Sequence, residues 1–206
     1  MKHLFQCRCA SLRGEIDHAE QGLRAVCYCK DCQAYAHLLG QADAVLDPLG
    51  GTDVVATQAR HVRFLSGTGT LACVSLSPHG LLRWYASCCG TAIANTPRDW
   101  KLPYVGLVHT CLRRPQPLEQ SFPHVQMQVN TKAARGTPPP VSRLAGTLRF
   151  LRVALRLAGA RLRGAYRATP FFDAQGRPVV AVRVADRSEV EAARARVAEA
   201  AKSGNV

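Results

Sequence analysis

The chain of 206 residues is long enough to bury a sizeable core, and its 47% apolar and 20% charged residues are ordinary for a globular protein. No window approaches the roughly 18 uninterrupted apolar residues of a membrane span. The N-terminal MKHLFQCRCAS puts a cysteine pair where a secretory signal needs an apolar stretch. That argues against export and for a reducing, cytoplasmic setting, where nine clustered cysteines read as metal ligands rather than disulfides.

The formal net charge of +13 is unevenly spread. Residues 1–130 carry 12 Lys/Arg against 9 Asp/Glu (+3), and 131–206 carry 15 against 5 (+10). All nine cysteines lie at or before Cys111, and the proline-rich RGTPPPVS (135–142) sits where both properties change. The expected organisation is a cysteine-bearing β domain over 1–134, a joint over 135–140 and a basic α+β extension over 141–206.

In chain order, Cys7-x-Cys9 places two sulfurs on one face of an extended segment, because strand side chains repeat every second residue. Cys27-x-Cys29 repeats the arrangement. Cys29-Lys-Asp-Cys32 then has the two-residue gap that aims two thiolates at one ion, and CQAYAHLLG behind it reads as a short helix. Residues 61–95 alternate apolar and polar positions over short runs broken by Gly, Ser-Pro and His-Gly turns, and end in Cys88-Cys89-Gly90. LPYVGLVHTCL (102–112) and HVQMQVN (124–130) read as further strands, so the fold class is mainly β. Seven cysteines grouped two, three and two point to metal, and thiolate sites point to zinc. A redox Cys-x-x-Cys would open a long helix in a βαβ unit, which is missing, and no familiar iron–sulfur spacing occurs. Cys73 and Cys111 sit inside apolar strand patterns as buried small hydrophobes. His3, His18 and His37 read as solvated or core histidines.

The extension reads as helix, hairpin, helix. Over 141–164, Leu144, Leu148, Leu151, Leu155, Ala158 and Leu162 share one helical face, flanked by Arg149, Arg152, Arg156 and Arg163. The favoured expectation is that the leucines pack on the β domain and the arginines face water. Phe150, Val153 and Leu157 form a second apolar strip, which a homodimer contact would cover. ATPFFDAQGRPVVAVRV (168–184) suggests a hairpin turning at Asp173–Gly176, and a second helix starts from an N-cap at Asp186 or Ser188. The extension has no aromatic interleaving and no recognised nucleic-acid motif, and a membrane role has no strong support.

Laid end to end, CRCASLRGEI, AVCYCKDCQAYAHLLG, VRFLSGTGTLACVSLSPHGLLRWYASCCGT and PHVQMQVN resemble the glutathione-dependent formaldehyde-activating enzyme family, which includes centromere protein V and has the Mss4-like fold. The resemblance covers about residues 5–130 and is strongest to a bacterial branch with the Cys-Cys variant. It implies two zinc ions per chain. Cys7, Cys9 and the 88–89 pair would share a structural zinc, and Cys27, Cys29 and Cys32 would hold a second with an open position for a thiol such as glutathione. The implied activity is that of a carbon–sulfur lyase or synthase acting on a thiol adduct, with no catalytic base assigned beyond the weak candidates Asp31 and His37. One departure stands out. Ala86 occupies the place of the first cysteine in the family's Cys-x-x-Cys-Gly, so either Cys88 substitutes through a bulge or another ligand completes that site. The alternative function is a non-catalytic, zinc-stabilised scaffold that works through the arginine-rich helix.

Overall fold

The computed structural model describes residues 1–203. In chain order the elements are β1 (His3–Gln6), β2 (Arg13–Ile16), β3 (Leu23–Cys27), α1 (Lys30–Leu38), α2 (Ala42–Val45), β4 (Thr52–Gln58), β5 (Val62–Ser66) and β6 (Leu71–Ser75). They continue with β7 (Leu82–Ala86), β8 (Thr91–Thr96), β9 (Tyr104–Val108), α3 (His109–Leu112), β10 (Met127–Val129), α4 (Arg143–Leu162), β11 (Val182–Val184) and α5 (Arg187–Ser203).

The architecture is mainly β. A three-stranded antiparallel sheet runs β1-β2-β5, and an eight-stranded sheet runs β10-β3-β4-β9-β8-β7-β6-β11. Its six inner strands are antiparallel, while β10 and β11 close the two edges in parallel with β3 and β6. Strand alternation sends neighbouring side chains into two separate cores. Val55, Cys73 and Leu107 enter the larger core with Phe5, Leu12, Ile16 and Trp84, whereas Val54, Val74 and Val108 enter a second core with Ala34 and Tyr35 of α1 and Val190 and Ala193 of α5. The large sheet is therefore buried on both faces along its centre. Its strands β4 (TDVVATQ) and β8 (TAIANT) accordingly carry a single charge, Asp53, rather than alternating apolar with charged residues.

The residues after 140 re-enter this fold. Phe171 and Phe172 are buried against Trp84, with ring centroids 5.1 and 6.2 Å from it. Strand β11 extends the large sheet, and α5 packs along α1. Asp186 precedes α5, and its backbone N–H donates to the Glu189 carboxylate at 2.9 Å, half of a capping box.

Three expectations change in detail. Cys111 lies in the short helix α3, not in a strand, although it is fully buried as expected. The turn at Asp173–Gly176 forms, with Gly176 N–H donating to Asp173 O, but its pairing stops at a single bridge between Phe172 and Pro178. The strand that follows pairs with β6 because an open sheet edge there offers a longer ladder. Finally, the leucine face of α4 does not pack on the sheet: Leu144, Leu148, Leu151, Leu155 and Leu162 are all exposed.

Candidate metal centres

The structure gathers the seven predicted cysteines into two groups, each with all sulfurs within 4.8 Å of one another. One holds Cys27, Cys29 and Cys32, and the other holds Cys7, Cys9, Cys88 and Cys89. Among the described residues no histidine or carboxylate joins either group.

The three-thiol group is built where β3 runs into α1. Cys27 is the last residue of β3, and Cys29 is the N-cap of α1, its Sγ accepting from the Cys32 backbone N–H at 3.3 Å. Cys32 lies in the first helical turn. The free N–H groups and the positive end of the helix dipole favour negative charge on all three sulfurs. Hydrogen bonds from Cys29 and then Cys32 hold Cys27 far below the usual thiol range, and the same sharing pushes Cys29 and Cys32 up.

Two side chains support this group that the sequence did not single out. Asn130, just past β10, donates its Nδ2 to Cys27 Sγ at 3.6 Å. Arg83, on β7, is only 3% exposed and directs Nη1 to Cys32 Sγ at 3.8 Å and to Asn95 Oδ1 at 3.3 Å. Its guanidinium also lies over the Tyr35 ring, 5.1 Å from the centroid. Burial pulls the Arg83 pKa down, but the charge and hydrogen bond of Cys32 leave it raised on balance. Among the described residues Arg83 makes no ion pair with a carboxylate. A buried guanidinium without a counter-ion is costly, and here the counter-ion is the thiolate group.

That charge balance also tests the fit of a metal. A divalent ion with three thiolates would carry one net negative charge, which Arg83 would neutralise. The Cys27 and Cys32 sulfurs are 3.8 Å apart, and zinc–sulfur bonds of about 2.3 Å in a tetrahedron put sulfurs about 3.8 Å apart. The donors therefore suit zinc, and they leave one tetrahedral position without a protein ligand.

The four-thiol group joins the loop after β1 to the turn between β7 and β8. Leu12 N–H donates to Cys7 Sγ at 3.3 Å, and Cys9 Sγ lies 3.5 Å from Cys7 Sγ and 3.2 Å from Cys88 Sγ. Cys88 and Cys89 sulfurs are 3.8 Å apart. Ser11, through its hydroxyl and then its backbone N–H, holds the Cys9 thiol down at about 6. Adjacent cysteines rarely face one point together, yet here the sulfurs of Cys88 and Cys89 both lie within 4.8 Å of those of Cys7 and Cys9. Ala86 O accepts from the N–H groups of Cys89 and Gly90, and Gly90 takes a φ of 69°, so the backbone reverses tightly enough to turn both sulfurs inward. Ala86 itself stays buried in β7, paired with Leu71 and Thr91. With four thiolates, this group has no open position and can hold a metal in a closed, structural manner.

Residues 3–183 match a family of unknown function, DUF6151. The chain belongs to that family. The match runs past both cysteine groups and into β11, so the matched region includes α4 as well as the thiol sites. Among curated proteins none matches the chain. A crystal structure of a Rhodobacter sphaeroides protein, a Northeast Structural Genomics target, shares 15% identity over 63% of this chain and 100% of that one, with a TM-score of 0.41, a likeness too distant to transfer a fold or a role.

The remaining candidates take other places. His3 is fully buried and satisfied, its ring nitrogens 2.9 Å from Ser121 Oγ and 2.8 Å from Leu112 O. His18 is exposed and pairs with Glu20. Asp31 is held by Arg194 of α5 at 3.2 Å, and neither it nor His37 joins a thiol group. Burial drives Cys73 up to about 12 and Cys111 up further, as expected of thiols that act as small hydrophobes.

Proposed function

We propose that the chain is a zinc protein of the Mss4-like type in which the four-thiol site is structural and the Cys27/Cys29/Cys32 site is the reactive one. The observation that carries the reading is the unequal donor count: four thiols in one group and three in the other. A zinc ion held by the three would supply a Lewis acid at whose open position a substrate thiol ionises readily. Arg83 keeps that centre neutral overall and anchors Cys32, while Asn130 orients Cys27.

A cavity of about 420 Å³ adjoins α1, lined by Lys30 and Gln33, which directly follow Cys29 and Cys32, and by Arg135 and Arg194. Its cationic side chains, Lys30 and Arg135 beside an Arg194 that is shared with Asp31, suit a thiol that also carries carboxylates, as glutathione does. Arg135 Nε is buried with no hydrogen-bond partner among the described residues and so has a hydrogen bond to give. The proposed chemistry is making or breaking the carbon–sulfur bond of an S-hydroxymethyl-type adduct. In the forward sense sulfur adds to an aldehyde carbon, and the carbonyl oxygen gains the proton that the thiol gives up.

Metal analysis is expected to give two zinc ions per chain. In cobalt-substituted protein, glutathione should alter the visible bands of one site only. Cys29→Ser is expected to lose that metal and that response while keeping the other metal. Unchanged metal content and thiol binding in Cys29→Ser would refute the reading.

A further inference from the structure

Five of the exposed large apolar side chains among the described residues lie on one face of α4. Leu148, Leu151, Leu155, Leu144 and Leu162 are 50, 52, 64, 74 and 88% exposed. At 3.6 residues per turn they fall within an arc of about 60°, and at 1.5 Å per residue they extend over about 27 Å. The helix is held by the opposite strip, where Gly146 and Ala160 are buried and Val153 and Leu157 are half-buried. A Cβ at Gly146 would come within 2.7 Å of Gln126 O, so glycine lets this face approach the chain before β10 closely. The leucines are on the outside because the small-residue strip packs better there.

Beside the leucines runs a strip of Arg149, Arg152, Arg156 and Arg163, all exposed. Among the described residues none of the four is in an ion pair, and no acidic residue occurs anywhere between Glu119 and Asp173. Glu20 lines the same shallow groove as Arg149, Arg152 and Arg156, but its carboxylate is engaged by the N-terminal ammonium at 2.9 Å. Whatever covers this face must therefore be apolar and anionic in adjacent strips. A second copy meets it poorly, because two-fold packing of the leucines pairs α4 with α4, which has no carboxylate to offer the arginines. Nucleic acid would engage the arginines and leave the leucines in water. An anionic bilayer surface satisfies both strips, with acyl chains against the leucines and lipid phosphates against the arginines. No helix among the described residues is long and apolar enough to cross a membrane, so α4 would lie in the plane of the interface.

We propose that α4 is an in-plane membrane-binding helix that docks this protein on bilayers carrying anionic lipids. The experiment is co-sedimentation of the full chain with vesicles of phosphatidylcholine alone or with a quarter phosphatidylglycerol. Wild type is expected to bind the anionic vesicles and to bind the neutral ones far less. Replacing Leu148, Leu151 and Leu155 together by Gln should lower the partition coefficient by at least about tenfold, since each buried apolar group adds to interfacial binding. These positions are exposed, so the circular dichroism spectrum and melting temperature should be unchanged. Replacing Arg149, Arg152 and Arg156 by Ser should remove the preference for anionic vesicles, which provides a second readout if the leucine variant misfolds. The proposal is overturned if wild type binds neither vesicle, if the leucine variant binds as wild type does, or if sedimentation shows a wild-type dimer that the leucine variant splits. Binding of duplex DNA in place of vesicles would overturn it as well.

Discussion

Replacing Arg83 by Met keeps volume and removes a buried positive charge 3.8 Å from Cys32 Sγ. At an effective dielectric constant of 20, two unit charges at that distance interact by about 4 kcal/mol, which sets a ceiling on the effect. The centre's single negative charge is spread over three sulfurs, and Met spares the desolvation of the guanidinium, so the realised loss is smaller. Partners that orient metal ligands typically contribute 10–100-fold in metal affinity, or about 1.4–2.8 kcal/mol. Arg83→Met is therefore expected to weaken one zinc per chain by about 10–100-fold and leave the other unchanged. The assay is competition against a chromophoric chelator at neutral pH, which resolves the two zinc classes by affinity. Arg83→Lys, which retains charge without the fork to Asn95, should fall between. If Arg83→Met is folded and releases both zinc ions as wild type does, the thiolate group is not the counter-ion of Arg83, and the charge argument for a metal at Cys27, Cys29 and Cys32 fails.

Cys88→Ala and Cys89→Ala should each weaken the four-thiol metal and leave the three-thiol metal in place; a variant with no loss would identify the cysteine that does not ligate. Phe171→Ala should cost about 3–5 kcal/mol in urea unfolding, because the ring is fully buried against Trp84, and a cost below 1 kcal/mol would mean that residues after 140 do not share the main core. Burial, and then the charge of Arg60, pull the His61 pKa down to about 4 from its ordinary 6.5. The unfolded chain therefore binds the extra proton first, so stability present above pH 6.5 should be lost as pH falls from 6.5 towards about 4. His61→Gln should flatten that part of the urea-midpoint profile, and an unchanged slope would assign the loss to another group.

Local pattern was readable where local chemistry decides the outcome. The short strands of 61–95 follow from period-two alternation, and the helix after Cys32 follows from its capping cysteine and its run of good helix formers. The three-thiol group was readable because Cys27, Cys29 and Cys32 are set by spacing across one turn, whereas the four-thiol group needs the fold to join Cys7 and Cys9 to Cys88 and Cys89. Arg83 was not readable. A charged residue in LLRWYAS looks like a solvated strand position, and only the fold brings Cys32, from a segment fifty-one residues earlier, against it. Asn130 escaped for the same reason, since its partner Cys27 is 103 residues away.

By itself the sequence determined that the chain is mainly β, that its thiols cluster and that its C-terminal third is basic, because each of these depends on composition or on neighbours a few residues apart. Tertiary structure alone decided that Cys88 and Cys89 both turn toward Cys7 and Cys9, and that β11 joins β6 instead of completing a hairpin. It also decided which side of α4 faces inward. That helix carries two apolar strips, and hydrophobicity favours the leucines for the interior. Close approach of the backbone at Gly146 favours the other strip, and a choice between two packings of one helix depends on the surface it meets.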